Sequence, residues 1–333
     1  MGKFGKLIKC FVPLLIFLAV SFGAGIILLI PYTFKAYAMG IVDPALLEQY
    51  LLNPDITMKI SVITEILLLI EAFIGYRFVM KIKFENPAKV FSAKFFIFVV
   101  LFFIGCTFIT NMLLGIATQI VPDVIADYNE LMKKTGLESL TLMSSLLAIV
   151  LAPIVEELTF RGMTLRLANR FTDKFYIANI IQALAFGIAH LNPVQSTYAF
   201  FVGLLLGYVY KKYNSLYASI VGHMLFNFAG TFGIEFLFGN SEEISNGKII
   251  VVLILSIVAV VAALFIAKGD IKAQIRTELY KEEAAAIYSA SNTVKEKVKY
   301  VLTDKGYVPL GPDGNLVTEV NAEAKDDGAS SQQ

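Results

Sequence analysis

The stretch Glu156-Glu157-Leu158-Thr159-Phe160-Arg161 places two adjacent carboxylates and an arginine inside an apolar segment that runs from about Leu140 to Ala168. Ionised side chains are costly in hydrocarbon, so they persist where they pair, face the interior of a bundle or do chemistry. Two neighbouring carboxylates repel if both ionise, so at least one must pair or hold its proton. Glu157 and Arg161 are four apart, on one helical face, and can pair. Glu156 is turned by ~100° of helix from its neighbour, which leaves it without that partner and in need of another reason to be there.

Working outward, the whole chain is 57% hydrophobic and only 17% charged over 333 residues, with 27 Phe, which is too apolar for a soluble domain. The composition predicts an all-α, polytopic membrane helix bundle. Lys+Arg (28) and Asp+Glu (27) nearly cancel, so bulk charge points to no nucleic acid or acidic partner. Cys10 and Cys106 lie far apart in or beside apolar segments and imply no disulfide framework or metal spacing.

Lys3, Lys6 and Lys9 precede an apolar run from Cys10 to about Tyr32, long enough for a bilayer that needs ~20 residues. A signal peptide with a small-residue cleavage site at Ala36-Tyr37-Ala38 is the competing reading, but the run exceeds a usual signal core and many spans follow. Further spans are predicted near Ile60 to Met80, Phe95 to Val121, Leu140 to Ala168, Phe175 to Leu191, Thr197 to Tyr210, Leu216 to Phe238 and Ile249 to Ala267, about eight in all. The shortest is the one at Thr197, with Asn192-Pro193 marking a break before it. Asp123 to Glu138 reads as a surface loop or interfacial helix.

Lysines and arginines accumulate at Lys3–Lys9, Arg77–Lys94, Arg166–Lys174, Lys211–Lys212 and Lys268–Arg276, whereas the alternate ends carry only Lys35, Lys59, Lys133, Lys134 and Lys248. By the positive-inside rule both termini are cytoplasmic. The division expected is a transmembrane bundle over 1–268, with a core at about 140–228, and a cytoplasmic tail over 269–333. In that tail Ile271 to Val301 has helical spacing, turn residues follow at Gly311-Pro312 and Asp313-Gly314, and Gly328 to Gln333 has a disordered composition. The tail reads as a solvated appendage.

Three polar clusters fall inside the predicted spans. Glu156, Glu157 and Arg161 follow Pro153, which should kink the helix and free backbone carbonyls. His190 ends the motif Phe186-Gly187-Ile188-Ala189-His190. His223 and Asn227 are four apart on one face, beside Gly222. A lone His or Asn in a membrane helix is more often interhelical glue, but these are the only two histidines in the chain. Helix depth counts allow all three clusters to meet in one site. Glu65, Glu71, Asn111 and Glu235 are weighted to structure, with Glu71 within reach of Arg77.

With these residues in hand, the sequence resembles the CPBP intramembrane proteases, also called the Abi or CAAX-protease family. The resemblance rests on Glu156-Glu157-x-x-x-Arg161, Phe186-x-x-x-His190 and His223-x-x-x-Asn227, in order on successive helices, and covers about Leu140 to Phe228. It implies a cavity open toward the cytoplasm and the membrane, and an endopeptidase acting on membrane-associated or prenylated-type peptides or proteins. On that model Glu156, assisted by His190, activates a water, while His223 and Asn227 stabilise the oxyanion. Glu157 and Arg161 give structural support. A rival account within the family makes it a metalloprotease, in which His190, His223 and Glu156 bind zinc. Neither HExxH nor HxxEH is present.

The expected partners are the lipid bilayer and a membrane-associated peptide or protein substrate. The expected location is the plasma membrane of a prokaryote. Functions of other classes stand beside the peptidase: a transporter or proton or cation pathway using the same acids and histidines, and a non-catalytic bacteriocin-immunity or scaffold protein.

Overall fold

A computed structural model describes residues 2–134, 141–238, 246–296, 299–303 and 306–310. The chain opens with α1 (Lys3–Cys10) and α2 (Val12–Ala38), which follow one another almost without a break; Pro13, in the first turn of α2, needs no amide partner there. Next come α3 (Pro44–Leu51), capped by the Asp43 carboxylate, and α4 (Pro54–Ile74), capped by Asn53 and prolonged by a π turn over Gly75–Val79. They are followed by α5 (Ala93–Ile120) and α6 (Pro122–Lys134).

The run that carries the two glutamates is then α7 (Leu142–Leu146), a π segment Leu147–Leu151, α8 (Ala152–Glu157), a second π segment Leu158–Thr164 and α9 (Leu165–Phe171). Beyond it lie α10 (Phe175–Ala189), α11 (Pro193–Tyr213), α12 (Leu216–Phe238), α13 (Asn246–Lys268) and α14 (Ile271–Glu296). An antiparallel hairpin, β1 (Lys299–Thr303) and β2 (Gly306–Leu310), follows with Lys299 opposite Leu310.

The expected helix bundle is there, with two departures. The tail helix stops at Glu296, and Tyr300 to Thr303, a run of aromatic and branched residues, pairs as a strand instead of continuing the helix. The break expected at Asn192-Pro193 is there, but the span after it starts earlier than Thr197: the Asn192 side chain accepts from the amides of Val194 and Gln195, and α11 begins at Pro193. The shortest of the expected spans is therefore α10, whose 15 residues extend ~22 Å.

Among the described residues, four helical runs are long and apolar enough to cross a membrane, namely Lys3–Ala38, Ala93–Ile120, Leu142–Phe171 and Gly247–Lys268. Asp123 onward is the helix α6. The expected turn at 311–314 and the tail end Gly328 to Gln333 lie outside the described residues, as does the side chain of Glu235.

The tail helix is not a solvated appendage. Arg276 of α14 bonds to Glu85 and to the carbonyls of Asn214 and Tyr213. Lys272 reaches the carbonyls of Ala88 and Phe91, and Gln274 that of Lys268. Buried Tyr280 accepts from Asn169, Ser291 donates to the Arg170 carbonyl, and Lys6 of α1 bonds to Ser291 and Asn292. Every one of the five basic-rich ends noted in the sequence thus touches α14, which gathers them at one end of the bundle. Above that end the core is aromatic, with buried Phe95, Phe98, Phe102 and Phe103 of α5 packed against Tyr213 and α12. Gly222 permits this approach, since a side chain there would collide with the Phe103 ring.

Candidate active site

The site begins with a backbone irregularity. In the π segment Leu147–Leu151 the Ala152 amide reaches back five residues to the Leu147 carbonyl. The next amide in that register would serve the carbonyl of Ala148, but residue 153 is proline and has no N–H. The orphaned carbonyl is taken by Asn227 of α12, whose Nδ2 donates to it at 2.8 Å. Pro153 therefore does free a carbonyl, and one of the residues expected at the site is the group that meets it. π segments of this kind concentrate at functional sites.

One turn on, the two glutamates part company. The Glu157 side chain is 0% exposed and that of Glu156 is 17% exposed. Arg161 Nη1 donates to Glu157 Oε1 at 2.7 Å, and its Nη2 to the Gly203 carbonyl at 3.2 Å. The guanidinium also lies 4.6 Å from the centre of the Phe186 ring, a cation–π contact. The π segment Leu158–Thr164 brings Gly162 so close to Tyr76 that a Cβ would stand 2.7 Å from the ring, locking this helix against the end of α4. Glu157 has a second partner that local spacing could not reveal: His223 Nδ1 stands 3.0 Å from the same Oε1.

The histidines are oriented by what their Nδ1 atoms meet. That of His223 faces a carboxylate and that of His190 faces the Phe186 carbonyl at 2.9 Å, so both donate from Nδ1. Each neutral ring then has its lone pair on Nε2. His223 Nε2 is 3.5 Å from Glu156 Oε2, whereas His190 makes no hydrogen bond or ion pair with that carboxylate. Phe186 stands edge-on between the two rings, 5.0 Å from His190 and 5.7 Å from His223.

Glu156 of α8, His190 at the end of α10, and His223 and Asn227 of α12 line one cavity of about 490 Å³, and Glu157 and Arg161 stand behind His223. Sequence reasoning missed other members of that wall. Glu65 and Asn111, weighted to structure, both line it, and Glu65 Oε2 is buried with no hydrogen-bond partner. α6, to which no chemistry was assigned, contributes Tyr128 and Met132. Glu65 could have been flagged as an unpaired acid in mid-span; nothing in the sequence distinguishes Tyr128. Glu71 does not pair with Arg77: its Oε2 is unpartnered and Arg77 lies over Phe78 instead.

Two histidines presenting Nε2 beside a carboxylate have the donor types zinc prefers. Their placement does not gather them into a binding set, since among the described residues no three His, Cys, Asp or Glu side chains cluster to hold a metal ion. The zinc set of the rival account, His190, His223 and Glu156, does not fit as arranged.

Residues 138–229 match the family model described as type II CAAX prenyl endopeptidase, Rce1-like. This is the family anticipated from the motifs, and the matched segment contains Glu156, Glu157, Arg161, His190, His223 and Asn227. No curated protein and no solved structure matches the chain.

Proposed function

We propose that the protein is an intramembrane endopeptidase in which Glu156 activates water against the peptide bond of a membrane-associated substrate. The segment's similarity to Rce1-like endopeptidases suggests peptidase activity. The observation that carries the reading is the convergence of Glu156, His190, His223 and Asn227 on one cavity.

In this reading the more exposed carboxylate, Glu156, takes a proton from a water held between it and the Nε2 lone pair of His190. The resulting hydroxide attacks the carbonyl carbon. Asn227 uses one amide hydrogen on Ala148 and keeps the other for the oxyanion. His223 can donate to that oxyanion from Nε2 only when both its nitrogens carry protons, and the Glu157 carboxylate, 3.0 Å from its Nδ1 and bonded to Arg161, is the counter-charge for that state. Glu157 is thus a positioning residue that acts through His223. The proton on Glu156 passes to the departing nitrogen as the C–N bond breaks, which returns Glu156 to its starting state.

The test is purified protein with membrane-tethered peptides, comparing wild type, Glu156→Gln and His223→Ala with and without a chelator. Wild type cleaves, with or without chelator, and loss of the base costs ~10²- to 10⁴-fold in rate. Undiminished cleavage by Glu156→Gln refutes the mechanism, and activity abolished by chelation and restored by zinc refutes the metal-free route.

A further inference from the structure

The family resemblance implies a cavity open toward the cytoplasm, but this cavity runs the other way. Its wall is drawn from the middle of the helices and the halves remote from α14, with His223 and Phe226 on the near half of α12 the exceptions. Counting ~1.5 Å per residue from the α14 end, the nearest wall residue on each of five helices is His223 at ~11 Å, Glu65 at ~14 Å, Phe186 and Val202 at ~17 Å and Thr107 at ~21 Å. Counted from the opposite end, Gln195 is only ~3 Å in, Leu147 ~8 Å and Leu114 ~9 Å. Tyr128 and Met132 extend the wall onto α6, which follows the far end of α5. Between the site and α14 lies the buried aromatic packing of Phe95, Phe98 and Tyr213.

The end that α14 covers is the basic one. Lys6, the Glu85 to Phe91 loop, Asn169 and Arg170, Lys212 to Asn214, and Lys268 all bond to α14, so the five basic-rich ends are one face of the molecule. Basic residues at helix ends mark the cytoplasmic side. The catalytic groups therefore lie at mid-depth, and the space that leads to them extends toward the other side.

We propose that the cavity takes peptide chains presented on the non-cytoplasmic face of the membrane, exported or outward-facing membrane-anchored polypeptides, through the end flanked by α6. That the ligand is a peptide rests on the peptidase reading; the side from which it comes does not. A cytoplasmic prenylated protein would meet the face closed by α14.

Single-cysteine variants in intact spheroplasts, probed with a membrane-impermeant cationic methanethiosulfonate, test the side directly. Both native cysteines are buried and give little background. Gly230 lines the cavity and has room for a side chain, the nearest atom to an added Cβ being Thr107 Cγ2 at 3.8 Å. Thr231→Cys is a second probe of the same wall, and Gly269→Cys, with its nearest contact also at 3.8 Å, reports the α14 end. Gly230→Cys and Thr231→Cys are expected to label in intact spheroplasts, and Gly269→Cys only after permeabilisation. Labelling of both cavity cysteines only after permeabilisation, or of Gly269→Cys without it, overturns the inference. Labelling needs no hydrolysis, so its result is separate from a companion assay in oriented proteoliposomes with tethered peptide supplied at either face. Cleavage confined to the Gly230 face is expected there. Cleavage confined to the Gly269 face overturns the inference, while outward labelling without cleavage at either face counts against the peptidase reading alone.

Discussion

Replacing Glu157 by glutamine should unfold the protein far more readily than the same change at Glu156, although the two residues are adjacent. Glu157 and Arg161 are both fully buried and 2.7 Å apart. The neutral amide would leave the guanidinium with the Gly203 carbonyl at 3.2 Å and the face of Phe186, but no counter-charge. Breaking a buried pair from one side costs about 3–5 kcal/mol. The pair is already imperfectly satisfied, since Glu157 Oε2 and Arg161 Nε have no hydrogen-bond partners, so the network has little in reserve.

Glu156, by contrast, faces the cavity with a single 3.5 Å contact to His223. Its replacement by glutamine should change stability by less than about 1 kcal/mol. Reversible unfolding in mixed detergent and SDS micelles, followed by far-UV circular dichroism, measures both. A Glu157→Gln protein as stable as wild type, or a Glu156→Gln protein destabilised to the same degree, would refute the division of labour drawn between the two acids.

Asn227→Ala should lower cleavage by ~10²- to 10³-fold through loss of the oxyanion donor. It should also cost about 1–3 kcal/mol because the Ala148 carbonyl is orphaned again; cleavage and melting are measured on the same preparation, and a catalytic loss without destabilisation would show that the carbonyl finds another partner. Arg276→Ala should release α14 from Glu85 and the α11 carbonyls, seen as faster limited proteolysis after Lys268 and a destabilisation of about 1–3 kcal/mol. Unchanged proteolysis would mean that the remaining contacts hold the helix by themselves.

What could be read in the sequence followed from local rules. Four-residue spacing identified the Glu157–Arg161 pair, apolar runs identified most helices, and Pro153 signalled a freed carbonyl. What could not be read depends on distant parts of the chain meeting. His223 is 66 positions from Glu157, and only the fold shows that it, rather than His190, stands beside Glu156. Glu65 looked like one of several scattered acids until α4 brought it to the cavity wall. The tail helix looked solvated because its polar side chains were assumed to face water, whereas Arg276, Lys272 and Thr277 spend their donors on backbone carbonyls at the ends of other helices. Such carbonyls leave no trace in composition.

The seam between α1 and α14, where Lys6 bonds to Ser291 and Asn292, bears on the order of assembly. α14 leaves the ribosome after every helix it clamps, so the basic ends of α1, α9 and α11 stay unlatched throughout insertion. Of these, α1 waits longest for its partner. A ribosome stalled short of α14 would hold a chain whose spans are made but whose basic end is still open.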